Sequence, residues 1–451
     1  MRLLTGRRTG AVVAASLVAL AAACSGEQAP AAPAPAAAAP SDELRPATLA
    51  VPDGLNKGAF SAPHTVLIPQ GWTMSLWASV EGARLEAWTA DGALLVSRPG
   101  AGEVVRLAPR ASGPPTSTVL LKGLDQPHGM AFDGSTLYVA ESDRIRAYTY
   151  AGGVATSGRI VADGLPDAKT PELGGAYAHA LKSVAVGPDK SLYFSIGSSG
   201  NISAEDRDAT PQRATIMRVP PGGGAPQVFT RGVRNGTGLA IAPDGSVWTA
   251  VNNRDNIEYP HDNGYAGASG STLGKVIDGY VADHPAEELA KLTAGRDLGW
   301  PFCNPDPDTD PGAAGTAYDY TTPPFVNDVQ TNPDGSKLNC AALKPVEQTF
   351  GAHSAPLGMS FTKGLPAPYD NGALVGVHGS WNRMPPRAPE VSYFPWADGT
   401  LGSQRTLVGG FQGSDGDRWG RPVAAVVGPD GAVYVSDDQA DAVYRLAPPG
   451  R

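Results

Sequence analysis

The sequence predicts an all-β protein, a six-bladed β-propeller with one large disulfide-containing insertion. Two observations carry this. The first is a recurring unit, a turn of Asp/Asn-Gly type followed by an alternating apolar strand. It occurs as ADGALLVSR (90–98), FDGSTLYVAES (132–142), GPDKSLYFSIG (187–197), APDGSVWTAVN (242–252), DNGALVGVHG (370–379) and GPDGAVYVSDD (428–438). The second is spacing. The turn residues Asp91, Asp133, Asp189, Asp244, Asn371 and Asp430 stand 42, 56, 55, 127 and 59 residues apart. Four of these gaps match a blade of four short strands. The long gap holds the insertion, about residues 253–368.

Composition agrees. The 56 Gly and 42 Pro among 451 residues suit many turns between short strands, and 41% hydrophobic residues can bury a large core. Closure into a ring removes open sheet edges and makes residues 51–451 one domain. One short helix is expected, from Pro285 to Ala294. The net charge of −9 excludes nucleic acid as a partner, since phosphate binding needs a clustered positive field.

Ahead of the propeller, residues 1–24 read as an export signal. Arg2, Arg7 and Arg8 form a basic start, and Ala11 to Ala23 an apolar run too short to span a bilayer. Cys24 follows Leu20-Ala21-Ala22-Ala23, which resembles a bacterial lipobox with Ala21 in the usual leucine position. The expectation is an exported protein, lipid-anchored at Cys24 to the outer face of the cell membrane or in the periplasm. Residues 25–50, rich in Ala and Pro, read as an extended tether. With Cys24 assigned to the anchor, Cys303 and Cys340 remain, and an even number in an oxidising compartment predicts one disulfide. The chain has no Cys-x-x-Cys-His, the attachment motif of a covalent c-type haem.

Candidate site residues recur at one relative edge of the blades. His179 stands eight residues before the Gly187-Pro188-Asp189 turn and its strand from Ser191 to Ile196. Gln126-Pro127-His128-Gly129 precedes the second copy, and Arg234-Asn235 the fourth. HGSWNR, with His378, Trp381 and Arg383, ends the fifth strand; Arg418 and Arg421 precede the sixth; Arg98 ends the first. In a closed ring, equivalent places in different blades become neighbours, so a list scattered along the chain becomes one site. A solitary one of these residues would read as a turn cap or a surface group.

The stretches QPHGMAFDG, FTRGVRNGTGLAIAPDG, VHGSWNR and GRPVAAVVGPDGAVYVSDD, with the spacing of His179 to its turn, resemble the sorbosone and soluble glucose dehydrogenase family, which uses pyrroloquinoline quinone. The resemblance runs from about Gln70 to Leu446. It implies a quinone on the propeller axis, with His179 as the base that takes a proton from a sugar hydroxyl while hydride passes to the quinone. It further implies Arg234 and Arg421 against the quinone carboxylates with Asn235 beside them. The remaining cofactor contacts it implies are Arg98, Gln126, His128, His378, Trp381 and Arg383. Calcium, held by main-chain carbonyls of Asn253 and Arg254, would polarise the quinone carbonyl. The partners implied are a small sugar substrate and a separate electron carrier.

The chain departs from the family in two places. Soluble glucose dehydrogenases place a lysine near HGSWNR, where this chain has His378, Trp381 and Arg383. They also pair two arginines one residue apart, where this chain has Trp419 and Arg421. Glucose specificity therefore does not carry over, and Lys182, three residues after His179, is a further charge available at the mouth. Two other readings stand beside the dehydrogenase: a redox-inactive propeller lipoprotein acting as a binding module, and a calcium-dependent lactonase-like propeller.

Overall fold

A computed structural model describes residues 43–313 and 317–451. The export signal, Cys24 and the tether as far as residue 42 lie outside the described residues. The architecture is a six-bladed β-propeller, each blade an antiparallel sheet of four main strands. Blade one comprises Glu86–Trp88, Leu94–Arg98, Glu103–Ala108 and Thr116–Lys122. Blades two and three repeat this, with innermost strands Met130–Asp133 and Val184–Val186. Blades four, five and six start at Gly238–Ile241, Pro356–Phe361 and Pro422–Val427. These six first strands touch one another in ring order. Glu86, Met130, Val184, Leu239, Met359 and Ala425 line a narrow cavity of about 60 Å³ between them, which marks the axis. Blade six takes its fourth strand, Thr73–Ser79, from the opposite end of the chain, and this closes the ring.

The repeated turn-and-strand unit supplies the second strand of every blade: Leu94–Arg98, Thr136–Ala140, Leu192–Ile196, Val247–Ala250, Gly372–Val377 and Val433–Asp437. Five of the six turns place a residue at positive φ; the Asn371-Gly372 turn of blade five does not. Gly92, Gly245 and Gly431 supply it at 76°, 83° and 75° at no steric cost. Lys190 takes 69° at the equivalent place, and its ammonium reaches Asp133 in the turn of blade two, 2.5 Å away. Side chains of successive blades then fill the wedges between sheets; Phe194, Val377, Phe394 and Val435 are fully buried.

Three expectations need correction. The helix expected at Pro285–Ala294 is absent: Glu287–Leu292 is the third strand of blade four, between Val247–Ala250 and Gln348–Phe350. Its residues are good helix formers, but ladder pairing and burial on both faces override propensity. The short helix is Asp278–Val281 instead. The tether does not run to residue 50, because Leu44–Thr48 pairs with Thr65–Pro69, and Leu49 is buried in the core. The insertion is not one continuous block over 253–368. It leaves blade four twice, before Glu287 and again between Leu292 and Gln348, and the first strand of blade five, Pro356–Phe361, also falls inside the expected range. The second excursion carries the ribbon Cys303–Pro305 with Phe325–Asn327 and the disulfide Cys303–Cys340.

Candidate active site

Propeller topology explains why distant residues meet. A loop entering an innermost strand and a loop leaving the antiparallel second strand open at the same end of a blade. Entry loops bring His179, Arg234, His353 and Arg421 to one mouth; exit loops bring Asn252 and His378. These side chains line a cavity of about 210 Å³, together with Asp255, Glu287, Ser380 and Trp381.

His179 is half-buried, and its Nδ1 lies 3.1 Å from the Ser198 carbonyl and 2.9 Å from Ser198 Oγ. Ser198 Oγ donates its own hydrogen to the Gly200 carbonyl at 2.7 Å, so both Ser198 oxygens accept from the histidine. The proton therefore sits on Nδ1, and Nε2 keeps its lone pair. Burial and the Arg234 guanidinium push the His179 pKa down to about 3, so the ring is neutral at pH 7. The neighbouring glycine is required for this seat. A Cβ on Gly197 would stand 2.5 Å from His179 Cβ and 3.3 Å from the Asn235 side chain.

The two arginines of the cavity are held by neutral acceptors. Arg234 is 4% exposed. It donates to the Asn252 carbonyl at 2.9 Å, to Asn201 Oδ1 at 3.0 Å and to the Asn201 carbonyl at 3.2 Å. Burial lowers its pKa to about 10. Arg421 donates to the carbonyls of His378 and Gly379 at 2.8 and 3.2 Å, and burial and Arg418 lower its pKa. Among the described residues neither makes a salt bridge. His378 is tied the other way: its Nε2 donates to Asp438 at 2.7 Å, and Arg84 meets the second Asp438 oxygen at 2.7 Å. Burial lowers the His378 pKa, so its ring is neutral with a lone pair on Nδ1.

Sequence reasoning missed three titratable residues of this cavity. Glu287 is 2% exposed, and burial raises its pKa well above the usual carboxylate range against the opposing pull of the Ala355 amide and Arg234. Reading its segment as a helix concealed it. His353 precedes the innermost strand of blade five as His179 precedes that of blade three; the long gap before the fifth repeat hid that strand. His353 Nε2 donates to the Val281 carbonyl at 2.6 Å, and its Nδ1 lies 3.4 Å from Asp255. Asp255 carried no motif signal at all.

Of the residues selected from sequence, His179, Arg234, His378, Trp381 and Arg421 share the cavity. Asn235 is buried and packs against Gly197 beside His179. Asn253 and Arg254 are buried in the loop between the lining residues Asn252 and Asp255. Besides Asn235, four residues expected at the cofactor do not line this cavity. Arg98 is held by Glu81 and Glu103 at 3.1 and 2.6 Å. Gln126 is exposed in a turn at φ 47°. His128 is fully buried with Nδ1 3.2 Å from the Lys182 carbonyl, and burial with nearby Arg84 lowers its pKa to about 3. Arg383 pairs with Asp283 at 3.3 Å and lines an adjoining cavity of about 300 Å³, which Trp381, 73% exposed, separates from the first. Lys182 does not reach the mouth either. Its buried ammonium is enclosed by the carbonyls of Ser142, Pro166 and Ala180 at 2.5 to 3.0 Å.

A family described as TrAA12-like matches residues 66–448. Among curated proteins, a pyrroloquinoline quinone-dependent pyranose dehydrogenase of Coprinopsis cinerea is 25% identical over 300 residues, 56% of this chain and 37% of the relative. An uncharacterized protein of Borreliella burgdorferi is 33% identical over 99 residues, 21% of this chain and 26% of the relative. The chain thus spans well under half the length of either. Among solved structures, the holo pyranose dehydrogenase quinone domain of Coprinopsis cinerea superposes with a TM-score of 0.68 at 22% identity, covering 85% of this chain and 97% of that one. A calcium structure of a Trichoderma reesei Carbohydrate-Active Enzymes Family AA12 protein gives 0.66 at 20%, covering 84% and 96%. At these identities the superpositions establish the propeller.

Proposed function

Because the chain belongs to the TrAA12-like family, we propose that it is a pyrroloquinoline quinone-dependent dehydrogenase that oxidises a sugar, or a sugar-derived alcohol or aldehyde, of aldose or sorbosone type. One observation carries the reading: two guanidinium groups without a carboxylate partner among the described residues, Arg234 buried and Arg421 half-buried, face the same cavity as a neutral histidine with an open lone pair. Buried arginine is normally paired, and leaving it unpaired in the protein is costly unless a ligand supplies the anion. A planar tricarboxylate supplies that anion, and the guanidinium fork suits it. The residues present therefore fit the quinone.

Arg234 and Arg421 would hold its carboxylates, and the main-chain carbonyls of Asn253 and Arg254 would offer oxygen ligands to calcium. When bound, the quinone supplies the two-electron acceptor for the substrate's hydride, with calcium as Lewis acid on its carbonyl. The chain's own work is proton handling and placement. His179 Nε2 takes the hydroxyl proton as the substrate carbon gives up hydride, and the alcohol becomes a carbonyl. Ser198 keeps the ring in the tautomer this requires. An anion seated on Arg234 removes part of the cationic field that weakens this base, so His179 becomes more basic in the loaded site. Glu287, whose carboxyl burial pushes well above the usual range, stands on the same wall.

The wider reading includes export, a lipid anchor at Cys24 on the outer face of the membrane, and transfer of electrons to a separate carrier; the lipobox-like stretch supports it. The test is to load purified protein with quinone and calcium and follow reduction of an artificial dye across a sugar panel. Turnover with a sugar supports the dehydrogenase. Neither quinone binding nor turnover would leave the binding-module reading in its place.

A further inference from the structure

We propose that His284, Asp306 and Asp308 form a binding site for one divalent first-row transition cation, with zinc as its natural probe. The site lies in the insertion of blade four and does not rest on the dehydrogenase reading. His284 follows the helix Asp278–Val281, and the two aspartates come from the end of the Cys303–Pro305 strand and the residues beyond it.

The three ligand atoms lie within 4.8 Å of one another. His284 Nε2 is 3.2 Å from Asp308 Oδ1 and 3.5 Å from Asp306 Oδ1. Zinc bound at about 2.0–2.2 Å in a tetrahedral shell needs ligand atoms roughly 3.3 Å apart, so the pre-existing spacing matches. The site is buried: His284 is 1% exposed, Asp306 3%, and the Asp308 side chain 3%. Burial alone would make an acidic pair unremarkable; the histidine changes the argument. Its Nδ1 lies 2.9 Å from the Tyr280 carbonyl and donates there, which turns Nε2 toward the two carboxylates. Nε2 makes no well-aligned hydrogen bond among the described residues, although it stands within ion-pair distance of both carboxylates. The seat between the two carboxylates is therefore one for a cation, either a metal ion or the proton that the imidazole carries there in its place, since the carboxylates push the ring pKa up to about 9.

The surroundings are those of a metal ligand. A coordinating histidine usually donates its far N–H to a carbonyl or carboxylate, and Tyr280 provides that carbonyl. His261 Nε2 sits 3.2 Å from the outer oxygen of Asp306 and orients it. The Tyr280 ring stacks on His284 at 3.9 Å, which fixes its plane. Two carboxylates balance a divalent charge, and the imidazole favours a transition metal over calcium or magnesium. The site also reaches the mouth. The Val281 carbonyl accepts from His353, and Asp283 pairs with Arg383, so a cation on His284 anchors the segment that holds part of the rim.

The competing occupant is a proton on Nε2. Chelator-stripped protein titrated with zinc against a chromophoric competitor separates the two. The expected result is one zinc per chain, lost by more than about 100-fold in affinity in His284→Gln and Asp308→Asn, and weakened about 10-fold in His261→Gln. Cobalt in the unmodified protein provides a second readout that needs no variant, an intense visible spectrum of low-coordinate nitrogen and oxygen ligation. Zinc binding that is absent, or unchanged in both His284→Gln and Asp308→Asn, overturns the site, as does a cobalt spectrum of the hexahydrated ion.

Discussion

Arg234 and Arg254 stand twenty residues apart on either side of the second strand of blade four, and both are almost completely buried. Their surroundings differ completely. Arg254 meets Asp328 in a direct ion pair and Gln330 at 2.8 Å, inside the insertion. Arg234 faces the mouth and finds only carbonyls and an amide oxygen. The same division holds beyond this pair: Arg207, Arg213 and Arg296 are matched to Asp297, to Asp206 with Glu172, and to Glu347, whereas Arg421 at the mouth is not. A buried cation with its anion in the protein is part of the fold. A guanidinium without one that opens into a cavity is a place kept for a ligand, whereas the ammonium of Lys182, buried away from the mouth, is satisfied by carbonyls alone.

The sharpest way to break this comparison is to unpair Arg254. Asp328→Asn leaves its guanidinium buried without a counter-charge, at an expected cost of about 3–5 kcal/mol in a denaturant titration. If stability barely moves, pairing is not what holds the insertion. Next comes His179→Ala. It should keep quinone binding and lose roughly 100-fold or more in turnover, about 3 kcal/mol. A variant near the parent rate would remove His179 from the reaction. Arg234→Gln should do the reverse of Asp328→Asn. The quinone-free protein should be as stable as the parent or more so, while quinone affinity falls by about 1.5–3 kcal/mol, the value of a charge-assisted hydrogen bond. Loss of both stability and affinity would place Arg234 with the structural arginines.

The smallest expected effect concerns pH. Glu288, next to Glu287, is buried, and its carboxyl is pushed up from 4.5 to about 8 by desolvation. A raised carboxyl pKa gives stability that is full below the unfolded value near 4.5 and erodes as pH rises through about 8. Glu288→Gln should therefore flatten the decline of melting temperature between pH 5 and about 8. An unchanged slope would assign that decline to other groups.

Much of this was legible in one dimension. The Asp-Gly turns and their spacing located the second strand of every blade, because a positive-φ turn and a period of two are local properties. The His179, Arg234 and Arg421 grouping followed, since blades impose a register. Glu287 and His353 were not legible. Glu287 lies in a segment whose composition favours a helix and whose strand state depends on a partner at Gln348–Phe350, some sixty residues away. His353 enters the mouth only because the insertion returns the chain to the ring before Pro356.

By itself, then, the order of residues determined the repeat, the number of blades and the pairing of Cys303 with Cys340. Tertiary structure alone decided which buried arginines would have carboxylate partners and where His284 would meet two aspartates. Periodicity is written between neighbours in the chain, whereas the neutralisation of a charge depends on groups that reach it only after the ring has closed.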